Sequence, residues 1–175
     1  KPGSGASGTS AGNLQPGGNF SGEYWRSLTF ESYQLLRSFL PEIKKTSKTE
    51  IMDQEVNYLY PALSESEAGH LRKDSEYRSK AGLRVHWIDG DQARDLEPRL
   101  SADILGGMLH QDCTQLDPQS FISALSESAE THGAQIRLAE AVGLHTKSAR
   151  VSGVQFKDGT SLRCDTVILA AGAWT

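Results

Sequence analysis

The sequence predicts a mixed chain of the α+β or α/β class, and three observations carry that prediction. Apolar residues recur at helical spacing in two stretches, Glu23–Leu40 and the segment opened by Asp117-Pro118. Between Ala141 and Arg163 three short strand-like runs are separated by turn residues, as in a meander. Thr166–Ala171 is apolar almost without interruption, as a parallel strand covered on both faces would be, and it runs into Gly172.

Taken in order, residues 1–22 are rich in glycine and serine, which suits a flexible tail or a loop whose backbone approaches something closely. Trp25, Leu28, Leu35, Leu36, Phe39 and Leu40 share one helical face, and Pro41 is expected to close that helix. Two short extended regions follow, Thr49–Val56 and Asn57–Leu63, the second pushed toward a sheet edge by Pro61. Ser64-Glu65-Ser66-Glu67 has the form of a capping box, in which the serine hydroxyl and the glutamate carboxylate each accept from the other's backbone N–H. It predicts a polar helix from Glu65 to about Ala81, stopped by Gly82. Leu83–Ile88 alternates as a strand, and Asp91–Leu96 makes a short helix that Pro98 ends. Ile104–His110 is again strand-like, with Gly106-Gly107 marking a bulge or a close approach.

Asp117 supplies an N-cap with Pro118 at the first helical position. Phe121, Ile122, Leu125 and Ala129 line one face of that helix, which Gly133 ends. Ala134–Leu138 reads as one strand. A three-stranded meander follows through Ala141–Thr146, Arg150–Phe156 and Ser161–Arg163, with Lys157-Asp158-Gly159-Thr160 as a turn.

Composition narrows the function. A hydrophobic fraction of 37% beside 23% charged residues is that of a soluble globular protein. A net charge of −4 argues against a nucleic-acid partner, because neutralising phosphates takes clustered Lys and Arg. The short basic cluster of Lys44, Lys45 and Lys48 is flanked by Glu42 and Glu50 and reads as solvated surface. The histidines have no metal-ligand spacing, so no metal residue is assigned. No apolar run approaches the roughly 20 residues that span a bilayer. Cys113 and Cys164 form no Cys-x-x-Cys pair; a disulfide stays open, and a reduced, cytoplasmic chain is the default expectation.

Two stretches could carry chemistry. Gly3-Ser4-Gly5-Ala6-Ser7-Gly8 matches the dinucleotide fingerprint G-x-G-x-x-G, but that fingerprint works between a buried strand and a helix, and only Lys1 and Pro2 precede it. The acidic residue at the expected distance, Glu23, opens a helix instead of ending a second strand. A nicotinamide enzyme is therefore a distant reading. Ala170-Ala171-Gly172-Ala173-Trp174 places small residues at the C-terminal end of an apolar strand, where nucleotide cofactors sit in open α/β sheets. A buried core strand ending in a glycine turn has the same pattern, and the two readings stand level on these residues alone.

Three blocks in this order resemble the D-amino-acid oxidase superfamily of FAD-dependent oxidoreductases, most of all its glycine-oxidase and sarcosine-oxidase branch. The first is Gly5-Ala6-Ser7-Gly8-Thr9-Ser10-Ala11-Gly12-Asn13-Leu14, similar to the family's loop along the flavin. The second joins Leu105-Gly106-Gly107-Met108-Leu109 to Gln115-Leu116-Asp117-Pro118, similar to the return from substrate domain to FAD domain. The third runs from Val151-Ser152-Gly153-Val154 through Asp158-Gly159-Thr160 to the segment Asp165–Trp174. Tyr58-Leu59-Tyr60 and Leu96-Glu97-Pro98 also resemble family residues between the first two blocks.

The resemblance implies FAD as cofactor and oxidation of the carbon–nitrogen bond of glycine, sarcosine or a D-amino acid, with hydride passing to the flavin. It implies Ala6 and Ser7 near the phosphates, and Ala11, Gly12, Asn13 and Leu14 near the flavin ring. It implies Val142 meeting the adenine through its backbone while also serving the core, and Ala171, Gly172 and Trp174 lining the FAD groove. Relatives carry a strand–fingerprint–helix unit before this region and substrate-holding residues after it. The chain is therefore expected to be an internal fragment, and no catalytic residue is assigned. Tyr58 and Tyr60 share one sheet face by alternation, where aromatic packing is the expected role. The implied organisation is a partial FAD-binding domain (1–45 and 111–175: a parallel strand, a three-stranded meander and helices) into which part of an antiparallel substrate-binding sheet (46–110) is inserted. The expected partners are a small amine or amino acid, with a second copy or a completing chain left open. The rival reading is a non-catalytic remnant that persists as a folded or oligomerising module without FAD.

Overall fold

The computed structural model describes residues 2–16 and 23–172, in two compact units, Lys1–Ala134 and Gln135–Thr175.

The first unit is built on a four-stranded antiparallel sheet. Its strands are β1 (Asn13–Leu14), β2 (Asp53–Ala62), β3 (Val85–Asp89) and β4 (Gly106–Leu116). The long β4 is central: β2 pairs along one side, while β1 and β3 share the other, against Thr114–Gln115 and Gly106–His110 respectively. The two extended regions expected at 49–63 are one strand, and Pro61 lies near the end of this edge strand, opposite Gly107, where its missing N–H does least harm. The strand expected at Ile104–His110 runs on to Leu116, with a bulge opposite Val56/Tyr58.

Among the described residues of this unit are four helices, α1 (Glu23–Thr46), α2 (Glu65–Lys80), α3 (Gly90–Leu96) and α4 (Pro118–Thr131); α2 and α3 pack on the sheet, and α1 packs on α4. The capping box forms as expected: Ser64 Oγ accepts from Glu67 N at 3.3 Å, and Glu67 Oε2 accepts from Ser64 N at 3.1 Å. Asp89 and Gln92 make a second such box at the start of α3. Asp117 caps α4 by accepting from Ser120 N at 2.7 Å. Leu59, Ile88, Ala93, Ile104 and Leu109 form a core on the α3 side of the sheet. On the other face the Arg72 guanidinium of α2 lies 4.5 Å over the Trp87 ring.

One helix boundary departs from expectation. Pro41 lies inside α1, which continues to Thr46. An interior proline costs about 3 kcal/mol by removing one backbone bond and crowding the preceding turn. The turn beyond it buries Ile43 against Ile51 and Ala124, with Leu40 and Phe121 around them, and burying such a side chain returns about 1.5–3 kcal/mol. Tertiary packing thus carries the helix past a local stop signal.

The second unit is a meander of β5 (Ala141–Lys147), β6 (Arg150–Phe156) and β7 (Ser161–Arg163), paired in that order. Its first hairpin turns through Ser148 and Ala149, both at positive φ (51° and 61°). Ala134–Leu138 and Thr166–Ala171 are not strands: neither pairs with another strand among the described residues, and Leu138, Ile168 and Leu169 are exposed. Apolar composition alone does not make a strand, because unpaired backbone gains nothing from extension over hydration.

Candidate functional site

The loop from Gly3 to Leu14 is held from below by α4 and β4. Gln119 Nε2 donates to two of its carbonyls, Gly3 O at 3.2 Å and Gly8 O at 2.9 Å. A single turn of 3-10 helix, Ala6–Thr9, occupies its middle, with Gly8 N donating to Gly5 O and Thr9 Oγ1 to Ala6 O, each at 3.2 Å. The loop then enters β1 through Gly12, whose carbonyl accepts from Leu116 N at 3.0 Å.

Its glycines divide into two kinds. Gly12 has φ +70°, and a methyl there would overlap the Leu116 carbonyl; one on Gly8 would overlap the Gly3 carbonyl. Both are required by the chain's own packing. Gly5 has φ −100°, and among the described residues nothing lies within 4 Å of where a Cβ would stand. Neither conformation nor packing explains a glycine there; the space beside Ala6 is open.

The other residues predicted for the flavin loop follow along the same segment. Ala6, Ser7, Ala11 and Asn13 are exposed, Leu14 is half-buried and Gly12 is buried. Ala11 opens on a groove of about 1010 Å³, which Lys44, Lys48, Thr49, Gln115 and Asp117 also line. Lys44 is paired there with Asp53 at 2.8 Å. Ala6, Ser7, Ala11, Gly12, Asn13 and Leu14 thus all lie in the first unit, along one continuous segment.

Val142, Ala171 and Gly172 lie in the second unit. Val142 is 54% exposed, against the expectation of a core role. It sits where the β5–β6 register slips, since Ala141 faces Phe156 and Gly143 faces Gln155, so its backbone has no residue directly opposite. Every residue of β5 is exposed, so the strand offers no buried face for Val142 to pack on. Ala171 and Gly172 are exposed, and Gly172 has φ +63° with nothing within 4 Å of a would-be Cβ. Trp174 lies outside the described residues.

Tyr58 and Tyr60 share a face of β2, opposite His110 and Met108. Burial, chiefly, raises both phenols above their ordinary range, with the Arg78 charge opposing it at Tyr60. The Tyr58 hydroxyl is buried with no hydrogen-bond partner among the described residues, whereas Tyr60 Oη donates to Gln15 Oε1 just beyond β1. That link, and the Gln119 bridge, escape a sequence reading because the partners are 45 residues apart in one case and 111 and 116 in the other. Among the described residues no three His, Cys, Asp or Glu side chains group as a metal site, and no helix is long and apolar enough to cross a membrane.

Comparison with known proteins identifies the family and the fold. Residues 1–175 match the family described as FAD dependent oxidoreductase (DAO). The glycine oxidase of Geobacillus kaustophilus is 27% identical over 98% of this chain, which spans 46% of that enzyme's length. The crystal structure of that glycine oxidase superimposes with a TM-score of 0.84 over 98% of the chain at 25% identity. The bifunctional protein ThiO/ThiG of a Synechocystis strain is 33% identical over half of the chain, covering 13% of that protein. L-proline dehydrogenase from P. horikoshii shares the fold at 18% identity, with a TM-score of 0.83 over 98% of the chain and 44% of that structure. With its mixed α/β fold and antiparallel sheets, the chain belongs to the DAO family of FAD-dependent oxidoreductases, whose cofactor is FAD.

Proposed function

We propose that this chain forms the flavin-side loop and part of the substrate-binding sheet of an enzyme that oxidises the carbon–nitrogen bond of a small amine or amino acid: glycine, sarcosine or a D-amino acid. When bound, FAD supplies the acceptor for the hydride that leaves the substrate carbon. The observation that carries the reading is the open space at Gly5 beside Ala6, in a loop otherwise fastened to α4 and β4 by its own backbone. Ala6 and Ser7 hold the phosphates. Ala11, Gly12, Asn13 and Leu14 lie along the flavin ring, and the small residues let the backbone approach it. Val142 meets the adenine through its backbone, which the register slip in β5 leaves without an opposite residue. Ala171, Gly172 and Trp174 line the cofactor groove.

In this reading residues 1–45 and 111–175 belong to the FAD-binding domain, and residues 46–110 to the substrate domain. No residue of the chain is assigned to proton or hydride transfer. A cytoplasmic setting is supported by Cys113 and Cys164 standing as thiols.

The exposure of Ile168 and Leu169 in an unpaired segment favours a second reading, a folded module that self-associates without cofactor. Titration with FAD followed by light scattering separates the two. Saturable FAD binding supports the first; no binding together with concentration-dependent dimers supports the second.

A further inference from the structure

The end of the flavin-side loop is gripped from the other part of the first unit. Gln15 and Pro16 directly follow β1, and Pro16 is among the largest fully buried residues. Tyr60 of β2 donates its hydroxyl to Gln15 Oε1. Arg78 of α2 is 4% exposed, and its Nη1 reaches Pro16 O at 3.4 Å. The same guanidinium is braced by Asp74 one turn earlier, with Nε and Nη2 both on Oδ2 at 2.9 and 2.8 Å. A buried arginine is costly to desolvate unless its charge and N–H groups are matched, so this one is fixed in place, not free to swing. Its charge also lies close enough to the Tyr60 phenol to oppose the effect of burial there. Two neighbouring side chains, 45 and 62 positions further along the sequence, therefore close on consecutive residues of one loop.

We infer that Tyr60 and Arg78 are positioning residues that clamp Gln15–Pro16 and so hold Ala11–Leu14 in the geometry that receives the flavin, an inference that rests on the flavin-loop reading above. Because β2 and α2 fall in the proposed substrate domain, the clamp ties the loop's position to that domain's packing. Movement of the sheet would pass to the flavin side through two side chains.

The test uses the full chain and its Tyr60→Phe, Gln15→Leu and double variants, with Arg78→Met and Arg78→Lys beside them. Tyr60→Phe keeps the ring and removes only the donor. One hydrogen bond, about 1 kcal/mol, corresponds to roughly a fivefold change in a local opening equilibrium. Amide exchange across residues 11–15 should rise about fivefold in either single variant, and no further in the double, with α2 exchange at wild-type values and Tm lowered by no more than the roughly 2–4 °C that one such bond accounts for. The FAD dissociation constant should rise by a similar factor, with Arg78→Met larger and Arg78→Lys partly restored. Additive effects in the double variant, or exchange raised equally throughout β2 and α2, would overturn the clamp in favour of general packing. A wild-type chain that binds no FAD would remove the flavin reading, while the exchange cycle still decides the clamp.

Discussion

Gly12→Ala and Gly5→Ala make opposite predictions in one loop, and together they test how its glycines are used. At Gly12 the backbone sits at φ +70°, where an L side chain costs about 1 kcal/mol. The added methyl would overlap the Leu116 carbonyl, so β1 must move away from β4. That breaks the 3.0 Å bond from Leu116 N to Gly12 O, a loss of about 1 kcal/mol, and overpacking adds about 1–3 kcal/mol. The sum, roughly 3–5 kcal/mol, lowers Tm by roughly 10 °C in a chain of this size. Gly5→Ala meets nothing within 4 Å among the described residues, at an ordinary φ, so Tm stays level or rises slightly as the unfolded chain loses freedom. Its methyl instead enters the open space assigned to the cofactor and should raise the FAD dissociation constant. Calorimetry without FAD and a fluorescence titration with it read the two effects separately. A Gly12→Ala protein melting with wild type, or a Gly5→Ala protein melting as low as Gly12→Ala is expected to, would refute the reasoning.

Three further outcomes are expected. Ser148 and Ala149 both occupy the left-handed region in a two-residue hairpin, which Asn-Gly adopts with less strain; Ser148→Asn with Ala149→Gly should stabilise the meander by about 1 kcal/mol, read from urea unfolding of the full chain, and no gain would contradict the turn. Pro41→Ala should stabilise α1 by about 2 kcal/mol, the interior penalty less the entropy proline removes from the unfolded chain, and a loss in thermal melting would contradict a continuous helix. Glu127 accepts from Lys48 N, Thr49 N and Thr49 Oγ1 at 2.7–2.9 Å, and the bonds to Thr49, then Lys48, hold its carboxyl below the ordinary value of 4.5. A lowered folded pKa adds stability above the unfolded value that is lost as pH falls through the folded one, so Glu127→Gln should flatten the melting profile below about pH 4.5; an unchanged profile would dismiss this carboxylate as a loop anchor.

What the sequence made legible is local. The Ser64–Glu67 box and the Asp117 cap with Pro118 behind it close within three residues, so their chemistry can be read without knowing the fold. The meander was legible because its strands follow one another through short turns. Where a distant partner decides, the same reading falls short. Pro41 stops a helix unless Ile43 finds Ile51 and Ala124 across the unit, and no pattern around Pro41 announces that. Thr166–Ala171 has a strand's composition, but strandhood is a property of a pair. In the loop, the fingerprint match sets Gly5 and Gly8 side by side; only the position of the Gly3 carbonyl distinguishes the packed glycine from the open one. Gln119, which fastens the loop twice, carries no signal beyond following Pro118.

The most direct test of the cofactor assignment is the visible absorption spectrum of the purified chain before and after addition of FAD, with unbound flavin removed by gel filtration. The expected result is a flavin band that stays with the protein and shifts from that of free FAD, and that weakens in Gly5→Ala. A protein that stays colourless at every FAD concentration would contradict flavin binding by this chain, while leaving its family membership intact.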